Sequence, residues 1–125
     1  MVVFFLRYKL IKKNYYIFLL LNKQQAQFLY LNTIGWKTNH MHKIEIWFVE
    51  HNNKYYIISE RENNAHWIKN ILHNPKVSFN INSETQRGYA RIVHNNETEL
   101  IVNVSNLMNK KYGWSNGLIV ELNPE

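Results

Sequence analysis

From residue 26 onward, apolar and polar positions alternate in short runs that twice give way to a helical period. The stretch AQFLYLNT (26–33) reads as a largely buried strand, and it leads into IGWKTNH, a basic turn in which Gly35 and Asn39 suit positive φ. In KIEIWFVE (43–50), Ile44, Ile46 and Phe48 fall on one face and Lys43, Glu45 and Trp47 on the other, the signature of one half-buried strand. Asn52-Asn53 then offers a tight hairpin, returning KYYIISE antiparallel to it.

The period changes in NNAHWIKNILHNP. Trp67, Ile68, Ile71 and Leu72 share a helical stripe, Asn63 or Asn64 can cap its start, and Pro75 ends it. KVSFNIN points Val77, Phe79 and Ile81 inward, and TQRGYARIVH is its hairpin partner, with Gly88 a bulge or a point of close packing. A second helix carries Leu100, Ile101, Val104, Leu107 and Met108 on one face, with Glu97 and Glu99 at its start, Lys110 and Lys111 at its end, and Gly113 as its left-handed cap. GLIVELNP closes the chain as a strand. The order β-β-β-α-β-β-α-β favours an antiparallel barrel, because a parallel sheet needs a crossover after nearly every strand.

At 125 residues the chain suits one core, so any cleft lies within one barrel or at a subunit interface. Two segments are distinguished: a barrel domain of residues 26–125 and an N-terminal element of residues 1–25. The longest apolar run of that element, Tyr15 to Leu21, is far short of the ~20 residues of a membrane span. It is expected to dock on the core. The alternatives are a basic, aromatic element lying on an anionic membrane surface and extra residues from a mis-assigned start.

Charge and chemistry narrow the picture. The net charge of +6 draws an anionic partner, and the absence of cysteine removes disulfides, thiolate catalysis and cysteine-ligated metals. A cytoplasmic location fits, peripheral to the membrane if residues 1–25 bind one. His40 and His42 lack a third ligand at metal spacing, so no metal is expected, and His66, His73 and His94 read as surface residues. No nucleophile elbow, P-loop or Rossmann fingerprint is present. The GWKTN turn, by contrast, offers backbone N–H groups, a hydroxyl and a cation, the donors that hold a phosphate.

Together, the segments FLYLNTIGWKTNHMHKIEIWFVEHNNKYYIISE, HWIKNILHNPKVSFNI and GYARIV resemble the deazaflavin-dependent nitroreductase family of the pyridoxamine 5'-phosphate oxidase-like, FMN-binding split β-barrels. The resemblance spans about residues 26 to 112. It implies a mainly β antiparallel split barrel with inserted helices, and an oxidoreductase using a deazaflavin coenzyme (F-420) or FMN to pass hydride to a quinone or nitro compound. Carried over by position, the coenzyme's phosphate falls on Gly35, Trp36, Lys37, Thr38 and Asn39, with Trp36 where the family has Arg and Asn39 where it has Gly. Its ring falls beside Ile44, Ile46, Trp47, Ser59 and Glu60, with Trp67 and Asn70 from the helix. Tyr112 is carried over as the substrate-side residue, and no catalytic side chain is implied, since the coenzyme supplies the hydride. Relatives occur as homodimers and as monomers. Two further readings stand beside this one: a non-catalytic flavin or tetrapyrrole carrier, and a basic barrel binding nucleic acid by stacking and phosphate contacts. The spread of basic residues along the chain argues against a nucleic-acid partner.

Overall fold

The computed structural model describes residues 26–125, so the N-terminal element of residues 1–25 and its expected docking lie outside the described residues. Seven strands form one antiparallel sheet: β1 (Leu29–Ile34), β2 (Met41–Ile46), β3 (Val49–His51), β4 (Lys54–Ser59), β5 (Lys76–Ile81), β6 (Glu84–Ile92) and β7 (Leu118–Pro124). Helix α1 (His66–His73) links β4 to β5, and α2 (Thr98–Tyr112) links β6 to β7. The sheet order is β2-β1-β5-β6-β7-β4-β3. Its two edge strands, β2 and β3, follow each other in the chain with only Trp47 and Phe48 between them. Three peptide steps reach no more than about 11 Å, so the sheet curls until its edges nearly meet. That is the expected split barrel.

The crossing at Trp47–Phe48 corrects one expectation. Residues 43–50 read as a single strand, yet β2 ends against β1 with Ile46 opposite Leu29, and β3 begins against β4 with Val49 opposite Tyr56. Alternation reports which face a side chain takes but not which strand the backbone pairs with. Helix α2 supplies what the ladder loses here. The Phe48 N–H donates to Tyr112 Oη (3.0 Å), and the Phe48 carbonyl accepts from Lys111 Nζ (3.0 Å) and faces Tyr112 Oη (2.9 Å).

Local expectations fare well at the turns. Asn52 and Asn53 adopt φ of 51° and 63° in the β3–β4 hairpin, and Gly113 caps α2 at φ 71°. Gly88 is a point of close packing: a Cβ there would strike the Asn123 carbonyl of β7. Helix α1 departs more. Residues Glu62–Asn64 form a short 3-10 turn and Ala65 stands at the N-cap, so neither Asn63 nor Asn64 caps the helix with its side chain. Leu72, expected on the buried stripe, is 64% exposed, whereas Asn70 is buried.

Two apolar clusters result. The barrel interior gathers Leu29, Leu31, Phe48, Tyr55, Ile57, Phe79 and Leu122 with Ile68 and Ile71 of α1. On the outer face of β4 and β7, Tyr56, Ile58 and Ile119 pack against Val104 and Met108 of α2. Strand β4 is buried on both faces for this reason. Beside the second cluster, the buried Glu121 carboxylate accepts from Tyr56 Oη (2.9 Å) and from Arg91 Nε (3.1 Å), while Arg91 grips Glu97 through two bonds of 2.8 and 2.9 Å. Burial pushes the Glu121 carboxyl up, but hydrogen bonds from Arg91 and Tyr56 outweigh it and hold it below its ordinary value. Hydrogen bonds from Arg91 and from the His94 N–H hold Glu97 at about 2.

Candidate functional site

The basic turn between β1 and β2 is built by its own backbone and by α1. Gly35 N–H donates to the His40 carbonyl (2.7 Å) and Asn39 N–H to the Gly35 carbonyl (2.9 Å). Asn39 holds φ 57°, as expected of a residue standing in for glycine. Gly35 itself does not use positive φ. A Cβ there would crowd Thr38 Oγ1 and His42 Nε2, so a larger residue would displace those two side chains. Thr38 Oγ1 accepts from His40 N–H (3.2 Å) and lies 3.1 Å from His42 Nε2.

Asn70 locks the turn to the helix. Its amide donates to Thr33 Oγ1 (3.0 Å) and its Oδ1 accepts from the Trp36 N–H (3.0 Å). The amides of Gly35, Trp36, Asn39 and His40 are bonded inside the protein, whereas those of Lys37 and Thr38 have no partner among the described residues. Gly35, Trp36, Lys37 and Thr38 line a cavity of about 320 Å³ together with Lys43 and Asn70. Among the described residues, no carboxylate lies within ion-pair distance of Lys37, Lys43 or Lys69.

Beside this basic cavity lies a larger, mostly apolar one of about 720 Å³, and Ile44, His66 and Trp67 line both. Ile46, Trp47, Ser59 and Glu60 line the larger one, with Phe28 and Trp114. Of the expected residues, eleven therefore line this adjoining pair, the groove: Gly35, Trp36, Lys37, Thr38, Ile44, Ile46, Trp47, Ser59, Glu60, Trp67 and Asn70. Asn39 shapes the turn without lining the groove. The Ser59 hydroxyl is already bonded to the Glu62 carbonyl (2.9 Å), so this residue contributes surface rather than a free donor.

Tyr112 also stands off the lining. Its ring stacks on Trp47 at 4.6 Å and 4°, and its hydroxyl lies 2.6 Å from the Gln27 carbonyl as well as bonding Phe48. Tyr112 thus backs the groove wall. Burial lowers the Lys111 ammonium to about 8 and raises the Tyr112 phenol against the opposing effect of its Phe48 contact, so both remain protonated donors at neutral pH. Trp47, 44% exposed, is held flat on Tyr112 and edge-on to Trp114 at 6.0 Å.

Sequence reasoning missed several lining residues. Trp114 follows the α2 cap, where an aromatic in a polar loop has no helical stripe to join, and that isolation was the available signal. Lys43 and His66 read as solvated surface because only the closing of the barrel and the docking of α1 bring them to one groove. Among the described residues no group of three or more metal-ligating side chains occurs, and no helix is long and apolar enough to cross a membrane.

The antiparallel split barrel thus sets an aromatic cavity beside a cationic turn, a pairing of the kind that planar ligands with anionic tails use. Comparison with solved structures places the fold in the same class. The chain is similar to the heme storage protein HutZ from Vibrio cholerae (TM-score 0.68, 20% identity, 83% of this chain and 85% of that one). It is also similar to a putative pyridoxamine 5'-phosphate oxidase from Listeria innocua (TM-score 0.66, 14% identity, 86% and 90%) and to an F420-H2 dependent reductase (TM-score 0.61, 21% identity, 79% and 94%). A comparison with the curated proteins finds no match. The chain belongs to the F420H(2)-dependent quinone reductase family, whose profile matches residues 19–116. It is an oxidoreductase of the deazaflavin-dependent type.

Proposed function

We propose that this protein binds reduced deazaflavin coenzyme or FMN in the groove and passes its hydride to an electron-poor organic acceptor, a quinone or a nitro compound. The observation that carries this reading is that the aromatic and basic cavities adjoin, with Ile44, His66 and Trp67 lining both. When bound, the coenzyme supplies the hydride. The protein's part is to hold, orient and exclude water. Lys37 and the amides of Lys37 and Thr38 hold the phosphate, with the Thr38 hydroxyl beside it. Ile44, Ile46, Trp47 and Trp67 give the ring a flat, apolar bed, and Ser59 and Glu60 border it at the end of β4. Trp47 and Trp114 leave an open aromatic face on which a planar acceptor can lie against the ring, converting a bimolecular encounter into an oriented one.

The test is a coenzyme titration followed by an acceptor screen. Quenching of coenzyme fluorescence on adding protein, and oxidation of the reduced coenzyme dependent on a benzoquinone or a nitroaromatic, are the expected results. Failure of both deazaflavin and FMN to bind would overturn the reading. Binding without oxidation by any acceptor of either class would leave a coenzyme carrier in its place.

A further inference from the structure

The turn itself carries one cation, Lys37, next to Trp36, and the structure brings a second to the same ring. The Trp36 ring has two ammonium groups against it, Lys37 Nζ at 4.7 Å and Lys69 Nζ at 5.7 Å from its centroid. Lys69 belongs to α1 and precedes Asn70, the residue whose Oδ1 receives the Trp36 N–H. One helix contact therefore fixes both the backbone of Trp36 and the reach of Lys69.

Two like charges gathered at one exposed ring repel each other unless something offsets them. The π face of an indole offsets part of that repulsion, and among the described residues no carboxylate pairs with either lysine. The remainder is positive potential beside the free amides of Lys37 and Thr38. An anion placed there feels both charges, and it feels them more than in open water because Asn70, Trp36 and Trp67 wall off one side.

We infer that Lys69 is the second cation of the coenzyme site, held by the Trp36 ring, and that together with Lys37 it reads the phosphate ester of the coenzyme tail. This inference rests on the proposed function and adds a binding residue that the turn's own sequence does not contain. Lys69 acts on the tail alone, so its contribution disappears for a ring that carries no phosphate.

The experiment titrates the whole chain at low salt with two matched pairs: the deazaflavin coenzyme against its phosphate-free chromophore, and FMN against riboflavin. For the phosphorylated member that binds, Lys69→Ala should weaken affinity about threefold to tenfold, with the loss shrinking as salt rises. Lys69→Arg should restore it, and the phosphate-free member should bind wild type and Lys69→Ala equally. Arg87→Gln, which removes a charge from β6, should change nothing. Equal affinity of wild type and Lys69→Ala for the phosphorylated coenzyme would overturn the inference while the proposed function stood. So would an equal loss in Arg87→Gln, which would reduce the effect to net charge. Failure of all four ligands to bind the wild type would instead overturn both.

Discussion

The two flanks of this barrel treat polar groups in opposite ways. On the α2 flank one charged network is closed on itself: Glu121 is shared by Tyr56, Arg91 and, at 3.6 Å, Lys54, and Arg91 is doubly bonded to Glu97. On the groove flank, Lys37, Lys43 and Lys69 have aromatic faces but, among the described residues, no carboxylate, and Trp36 and Trp47 stay partly open to solvent. A surface that only had to fold would gain by covering those rings and pairing those lysines. The difference teaches where the chain keeps binding capacity in reserve and where it commits everything to stability.

Substitutions on the two flanks should therefore separate stability from binding. The largest effect is expected from Glu121→Ala. Removing a buried carboxylate strands the Tyr56 hydroxyl and half of the Arg91 fork, costing about 3 kcal/mol in denaturant unfolding, with coenzyme affinity of the folded fraction unchanged. A loss of affinity equal to the loss of stability would mean that the flanks are coupled. Lys37→Ala should do the reverse. A charge-assisted hydrogen bond is worth roughly 1.5 to 3 kcal/mol, so coenzyme binding should weaken about tenfold to a hundredfold at low salt with the apoprotein Tm unmoved. Wild-type affinity in that variant would show the turn to be a connection between strands and nothing more.

Tyr112→Phe probes the place where the flanks touch, since Tyr112 belongs to α2 and backs Trp47 of the groove. Loss of the hydroxyl leaves the Phe48 N–H unpaired, at about 1 kcal/mol of stability. It should also loosen Trp47, read as a weaker hold on the coenzyme ring with no change in the salt dependence of binding. A changed salt dependence would assign Tyr112 to the tail instead.

The smallest expected effect is one of acid stability. Glu97 sits at about 2 against an ordinary 4.5, so the unfolded chain takes up its proton first as pH falls. The stabilisation is complete above about pH 4.5 and is lost on descending towards 2. Glu97→Gln should flatten the fall of Tm over that window. An unaltered Tm profile would show that the exposed Arg91–Glu97 pair adds nothing to the buried part of the network.

The local elements were legible in the sequence because local forces make them. Short apolar runs located β1 and β7, a tight turn located β4, alternation located β5, and the 3.6 period located both helices. The Asn52-Asn53 hairpin, the left-handed Asn39 and the Gly113 cap followed from backbone sterics of single residues. Much of the groove was legible too, because β1, its turn and β2 are neighbours in sequence and carry a recognisable order of residues. Apart from the asparagine cap of α1, what failed depended on partners far along the chain.

Residues 43–50 were divided between β2 and β3 because strand pairing is chosen among distant segments, and α2, some sixty residues later, supplied the groups that Phe48 needed to leave one ladder for another. The apolar stripe read along the first helix leaves Asn70 out. This residue is buried because Thr33 and Trp36 satisfy its amide there, a compensation no helical period encodes. Lys69 and Trp114 reached the groove region for the same reason. By itself the sequence determined the conformation each segment prefers and the face each side chain takes. Only the tertiary structure decided which polar groups found partners and which were left for a ligand, because a hydrogen bond or an ion pair is made in space between residues whose separation along the chain carries no energy of its own.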